Sequence, residues 1–207
     1  MPSSALLRSL PDPASMQRTL RSLTMLDAIV APDFRAFEWH PRWGKRQQMG
    51  AFKDGSGNFF FAWFSVKGTV IRGFDHESKM SPFQHDPPRE WPGLTKGLPA
   101  ALSYAKKEPA FALEELTFCT WNTGDGWKCG PVKMAKRGDG SEELLACFRS
   151  DFSKFAPKHF DQKFDRSALD ALRDFKPLSK PLLDSISRDR DQAMVKEEAK
   201  LCGFVLE

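Results

Sequence analysis

Asn58-Phe59-Phe60-Phe61-Ala62-Trp63-Phe64-Ser65-Val66 is the stretch from which the fold is read. Successive side chains of a β-strand point to opposite faces. A run apolar from Phe59 to Phe64 is therefore buried on both sides, which predicts a central strand covered by helices. Upstream lies Asp54-Gly55-Ser56-Gly57, a turn whose glycines adopt positive φ without penalty. Before it, Arg46 to Lys53 reads as a strand. Downstream, Lys67-Gly68 turns the chain into Thr69 to Phe74, rich in β-branched residues. A three-stranded antiparallel meander follows, with Phe34 to Trp39 as a further strand.

Outside the meander the signals alternate. Thr117 to Asn122 and Trp127 to Val132 are strand candidates joined by Thr123-Gly124-Asp125-Gly126, a hairpin signal. The first dozen residues, ending Leu10-Pro11-Asp12-Pro13, are expected to be loosely held. Ser15 is placed to cap a short helix through Leu23, and Met25 to Val30 continues in apolar vein until Pro32 interrupts. Gly97 to Lys107 and Phe111 to Leu116 read as short helices, and Ser141-Glu142-Glu143 opens an amphipathic helix carrying Leu144, Leu145 and Phe148. From Asp151 the chain is helical and highly charged. Leu169, Leu172 and Phe175 share one face, and Leu182, Leu183 and Ile186 mark another helix beyond Pro177 and Pro181. The expected class is α+β: an antiparallel β-meander flanked by helices. Its expected divisions are an N-terminal segment (1–24), a core domain (25–150) and a helical C-terminal extension (151–207).

With 41% hydrophobic and 28% charged residues, a packed core is expected and wholesale disorder is not. A net charge of +4 is too small to mark a nucleic-acid-binding protein, so no nucleic-acid partner is expected. No apolar run reaches the roughly 18–20 residues that span a bilayer, and no secretory leader is read at the N-terminus. A cytoplasmic, membrane-free location is expected. Cys119, Cys129, Cys147 and Cys202 form no C-x-x-C pair; Cys119 and Cys147 read as small core residues. A hairpin can bring Cys119 and Cys129 across from one another, but sequence does not give the pairing geometry.

Asp75-His76-Glu77, with His85-Asp86 nearby, is the most reactive-looking cluster. Two imidazoles and three carboxylates suit a divalent metal or acid/base work. The spacing matches no H-E-x-x-H helix, and a polar loop after a strand is more commonly structural. Ser78 and Ser81 beside His76 lack the G-x-S-x-G elbow of a nucleophilic serine. The glycines of residues 54–57 lead into a strand, whereas a phosphate loop opens a helix. The aromatic run from Phe59 carries no interleaved Lys or Arg, which favours core packing over a base-stacking platform. Trp39, Trp43, Trp91 and Trp127 lie in more polar stretches, where partial burial and interface anchoring compete. His40-Pro41-Arg42-Trp43-Gly44-Lys45-Arg46 is the densest basic stretch of the first half and reads as a solvated loop or a contact for an acidic partner. Arg188 to Asp191 and Lys196 to Lys200 read as exposed helix laced with ion pairs.

Met25 to Pro32, Asp54 to Gly57, Arg72-Gly73-Phe74-Asp75-His76-Glu77-Ser78-Lys79-Met80-Ser81-Pro82, Trp91-Pro92-Gly93 and Thr117 to Trp121 together resemble a widespread group of small uncharacterised bacterial proteins. That group is similar to the immunity proteins of polymorphic toxin systems, and the resemblance runs from about Met25 to Gly140. It implies a bacterial origin, a shared fold and a cognate toxin or effector as partner. It carries over no catalytic role. The expected function is thus an immunity protein that binds and neutralises a toxin, without cofactor or metal, through Trp43, Arg46, Asp75, His76 and Glu77. The alternative is a metal-dependent hydrolase built on Asp75, His76, Glu77 and His85.

Overall fold

The computed structural model describes residues 4–133, 135 and 138–207. Its centre is a six-stranded antiparallel sheet in simple sequence order: β1 (Phe37–Gly44), β2 (Gln47–Lys53), β3 (Phe59–Ser65), β4 (Gly68–Phe74), β5 (Phe118–Asn122) and β6 (Trp127–Cys129). The expected meander is present and longer than expected, because the strands on either side of the three central ones continue it. β3 is interior, as its double-sided apolar run requires. The register sets Phe52 beside Phe60, Gly73 and Phe118 in one row, and Ala51 beside Phe61, Arg72 and Cys119 in the next. Alternate rows face opposite ways.

One face carries Phe52, Phe60, Ala62, Phe64, Ile71 and Phe118 and is covered by helices. Chief among these is α2 (Pro13–Val30). Asp12, not Ser15, caps it, accepting from the amides of Ala14 and Ser15, and Pro13 takes the first helical position, where a missing N–H costs nothing. The helix runs unbroken through residues 24 and 25, burying Met16, Leu20, Leu23, Leu26 and Ile29. It crosses β2 at Gly50, where a Cβ would lie 2.6 Å from Leu20 Cδ1. The N-terminus is less loose than expected: α1 (Ser4–Ser9) buries Leu6, and Leu10 is buried after it.

The helices that follow the sheet complete this layer: α3 (Ser141–Leu144), α4 (Ala146–Arg149), α5 (Phe152–His159), α6 (Arg166–Arg173), α7 (Lys180–Ile186) and α8 (Gln192–Cys202). The single helix expected from Ser141 is broken at Leu145, and Phe175 lies past the end of α6 in a left-handed conformation, its ring stacked on Phe204. α8 packs on α2 and β1 within the same apolar cluster. The mixed charges of residues 188–200 are not wholly exposed: Glu198 in α8 is buried and pairs with Arg35, and Arg190, before the helix, is held by Asp184 and the Ser187 carbonyl.

The other face carries Met49, Phe61, Trp63, Val70, Cys119 and Trp121. Its cover is not α-helical, as the run from Phe59 had suggested. Residues 82–116 make three short 3-10 turns, Pro82–Gln84, Ala100–Lys106 and Pro109–Phe111. Prolines at 82, 87, 88, 92, 99 and 109 remove donors too often for an α-helix to propagate. Leu94, Leu102, Phe111 and Leu116 from this stretch, with Met80 just before it, fill the layer. Arg72 ties it down from below, donating to the carbonyls of Ala105 at 2.7 Å and Leu113 at 3.1 Å. Cys119 and Cys129 are both free thiols. Cys129 pairs in register with Thr120, which puts Cys119 on the opposite face.

Candidate functional site

The antiparallel order sends alternate turns to opposite ends of the sheet, and this separates the residues singled out from sequence. Gln47 is beside Ser65, Ser65 beside Gly68, Thr69 beside Asn122 and Asn122 beside Trp127. The β1–β2, β3–β4 and β5–β6 turns therefore share one end. Lys53, Phe59 and Phe74 define the other end, where the turn at 54–58 meets the segment after β4. Trp43 and Arg46 belong to the first end, and Asp75, His76 and Glu77 to the second. A seven-residue strand, about 20 Å long, lies between them. The five residues do not form one patch.

At the far end the Asp75-His76-Glu77 loop is occupied with its own structure. Asp54 Oδ1 accepts from the amides of Ser56 and Asn58, closing the turn. Asn58 Oδ1 in turn accepts from the His76 amide at 3.0 Å and from His76 Nδ1 at 2.8 Å. The Asp75 amide donates to Thr117 Oγ1, and Asp75 Oδ1 accepts from the Glu77 amide. Asp75 packs against Gly140, where any Cβ would collide with it. Ser78, buried, donates its hydroxyl to the Gly138 carbonyl, and Ser81 is also buried, so neither is presented as a nucleophile. His85 accepts instead from Arg89 at 3.4 Å. No three His, Cys, Asp or Glu side chains converge as a metal-binding group among the described residues. Glu77 and His76 remain solvent-facing, 4.0 Å apart at their closest charged atoms.

The hairpin end is built differently. The expected loop from His40 to Arg46 is the second half of β1, with an irregularity between His40 and Gly44, followed by a turn at Lys45-Arg46. Pro41 cannot donate to a ladder, which suits this edge position. Trp43 is half-buried, its ring stacked on Phe111 with centroids 6.0 Å apart and edge-on to His40. That stack anchors the strand end to the 3-10 layer. Arg46 is exposed at the tip with φ of +56°, a region that glycine and asparagine enter more readily than arginine.

Two features of this end were not anticipated. The β3–β4 turn exposes Val66, at 71% the most exposed large aliphatic residue of the sheet, next to exposed Lys67. A cleft of about 760 Å³ opens between this turn, the β5–β6 turn and the α1–α2 junction, with Arg8, Asp12, Val66, Lys67 and Trp127 among its walls. Trp127 Nε1 donates to the Pro11 carbonyl at 2.7 Å and holds that junction over the sheet. The clue in the sequence is a β-branched apolar residue placed where the strand ends. Cations predominate at this end: Arg8, Arg42, Lys45, Arg46 and Lys67 are all exposed and none forms an ion pair among the described residues, while exposed Asp12 is engaged as the cap of α2. Asp125, by contrast, is neutralised by Lys128, whose ammonium lowers its pKa.

No helix among the described residues is long and apolar enough to cross a membrane. Compared with known proteins, the chain matches no family model, no curated protein and no solved structure.

Proposed function

We propose that the chain is a non-catalytic binding protein of the immunity type, which captures an acidic surface of a cognate toxin on the hairpin end of its sheet. The observation that carries this reading is the cluster of exposed cations around exposed Val66, none in an ion pair among the described residues, with Arg46 held in a left-handed conformation at the tip. Unpaired surface cations speed the encounter with an oppositely charged partner. An apolar residue among them supplies area that gains from losing water. A non-glycine residue in a sparsely populated backbone region, on a turn where glycine would fit, points to a role for its side chain. The toxin as partner rests on the resemblance of residues 25–140 to a group of small uncharacterised bacterial proteins that is similar to immunity proteins. A stable complex would bury about 1,200–2,000 Å² in total, more than one hairpin tip provides, so the neighbouring turns and cleft belong to the contact.

The test uses Arg46→Gly and a Lys45→Glu/Lys67→Glu pair. Arg46→Gly relaxes the backbone and leaves stability within about 1 kcal/mol. Both variants are expected to lose a stoichiometric partner that wild type retains from its native host. That partner, expressed alone, should arrest growth, and co-expression of wild type but not of the variants should restore it. A partner that is harmless alone, or equal rescue by all three proteins, refutes the proposal.

A further inference from the structure

Away from the sheet ends, a second cleft of about 770 Å³ lies along α5, a volume within the range of small-molecule sites. Its walls sort by chemistry. Lys154 and Lys158 stand one helical turn apart on α5, and Phe155 and His159 form the adjacent stripe. Glu143 on α3 and Asp151, the cap of α5 one turn before Lys154, also line it. Lys154, Lys158 and the Glu143 carboxylate are exposed and have no ion-pair partner among the described residues. Asp151 uses Oδ1 to cap Ser153, and the charges of Arg166 and Lys154 lie close to it.

His159 is the centre of the cleft's apolar wall. Its ring stacks on Phe155 with centroids 5.3 Å apart and an interplanar angle of 12°. Phe37, Phe52 and Phe160 enclose it on the remaining sides at 4.8–5.7 Å. This burial pushes the imidazole pKa below its ordinary value, so the ring is neutral at pH 7. A neutral imidazole adds a hydrogen-bonding group without upsetting the balance of two cations against two carboxylates. The ligand that matches is small, flat on one side and charged at both poles.

We propose that this cleft binds a small aromatic zwitterion, of the class of a free aromatic α-amino acid, with its ring against the Phe155 side of the Phe155–His159 stack, its carboxylate toward Lys154 and Lys158, and its ammonium toward Glu143. The site is independent of the partner surface at the hairpin end. The experiment follows the His159 ring resonances by NMR in the full chain during titration with L-phenylalanine, 3-phenylpropionate and 2-phenylethylamine. L-Phenylalanine should give a saturable shift and bind about ten-fold more tightly than either analogue, the ratio of one charge-assisted hydrogen bond. Glu143→Gln should erase its advantage over 3-phenylpropionate, and Lys154→Gln/Lys158→Gln its advantage over 2-phenylethylamine. An analogue binding wild type as well as L-phenylalanine does overturns the proposal. So does the absence of a saturable His159 shift with all three probes.

Discussion

Asp27 makes stability depend on pH in a direction opposite to that of an ordinary paired carboxylate. The residue lies in α2, 1% exposed, and its Oδ2 accepts from the Phe37 amide at 2.6 Å and the Ala36 amide at 3.1 Å. It thus fastens the start of β1 to the helix above. Desolvation is the largest influence on its carboxyl and raises the pKa to about 7, against the opposing pull of the two amides and of Arg35. Unfolded, the group titrates near its ordinary value of 3.8. Between those limits the folded chain holds a proton that the unfolded chain has released, so stability falls as pH rises through this window and levels off above about 7. At ~1.36 kcal/mol per pH unit, a separation of roughly 3 units amounts to ~4 kcal/mol lost between acid and neutral pH, to order of magnitude. Asp27→Asn keeps an oxygen to accept from Phe37 and removes the titration. Urea denaturation of both proteins from pH 4.5 to 8.5 should give a stability difference, variant minus wild type, that climbs steadily to about pH 7 and then stays constant. A difference independent of pH would refute the reasoning, because it would mean that the carboxyl is charged in both states throughout.

Three further outcomes follow from the packing. Gly73→Ala should destabilise by about 1–3 kcal/mol or more, since the new Cβ would overlap the Phe118 ring, which is fully buried and has nowhere to move; thermal denaturation reads the loss. Arg72→Met should cost about 2–4 kcal/mol, because it strands the carbonyls of Ala105 and Leu113 without their donor, and hydrogen exchange should show the loosening concentrated in residues 100–116. Asp12→Ala should remove about 1 kcal/mol by uncapping α2, with Asp12→Ser recovering most of it in the same denaturation assay.

The sheet was legible because its signal is local: an apolar run at β3, glycine turns at 54–57 and 123–126, and alternation on either side. The helical layer was legible in kind but not in detail. Ser15 reads as a cap when Leu10 to Pro13 is placed in a loose N-terminal segment, whereas proline at the first helical position sacrifices no hydrogen bond and leaves Asp12 as the cap. Residues 97–116 carry helical composition, yet Pro99 and Pro109 punctuate them and the Arg72 guanidinium claims two of their carbonyls. That contact joins residues 33 and 41 positions apart, and no local pattern announces it. The same limit governed the site. Arg46 and His76 are both conspicuous in sequence, but their assignment to opposite ends depends on strand register, which is a property of the whole sheet. Residues such as Asp27 and His159 gain their altered chemistry only from burial by distant elements.

Recognition at the hairpin end also follows from what the rest of the sheet leaves open. Both faces are covered, one by helices and one by the 3-10 layer, so neither can serve as a flat platform. The two edges are poor templates for an added strand. β1 carries Pro41 and an irregular register from His40 to Gly44, and α8 packs beside it. β6 is only three residues long. Such devices suppress edge-to-edge pairing. The turns at the two ends remain. At the far end the hydrogen bonds linking Asp54, Asn58, His76 and Thr117 already satisfy the loops internally. At the hairpin end the cations form no ion pair among the described residues and Val66 is 71% exposed. A partner gains binding free energy only where groups are still unsatisfied or apolar area is still wet: the hairpin end combines both, whereas the far end offers exposed Phe34 and Phe83 beside loops whose polar groups are already engaged.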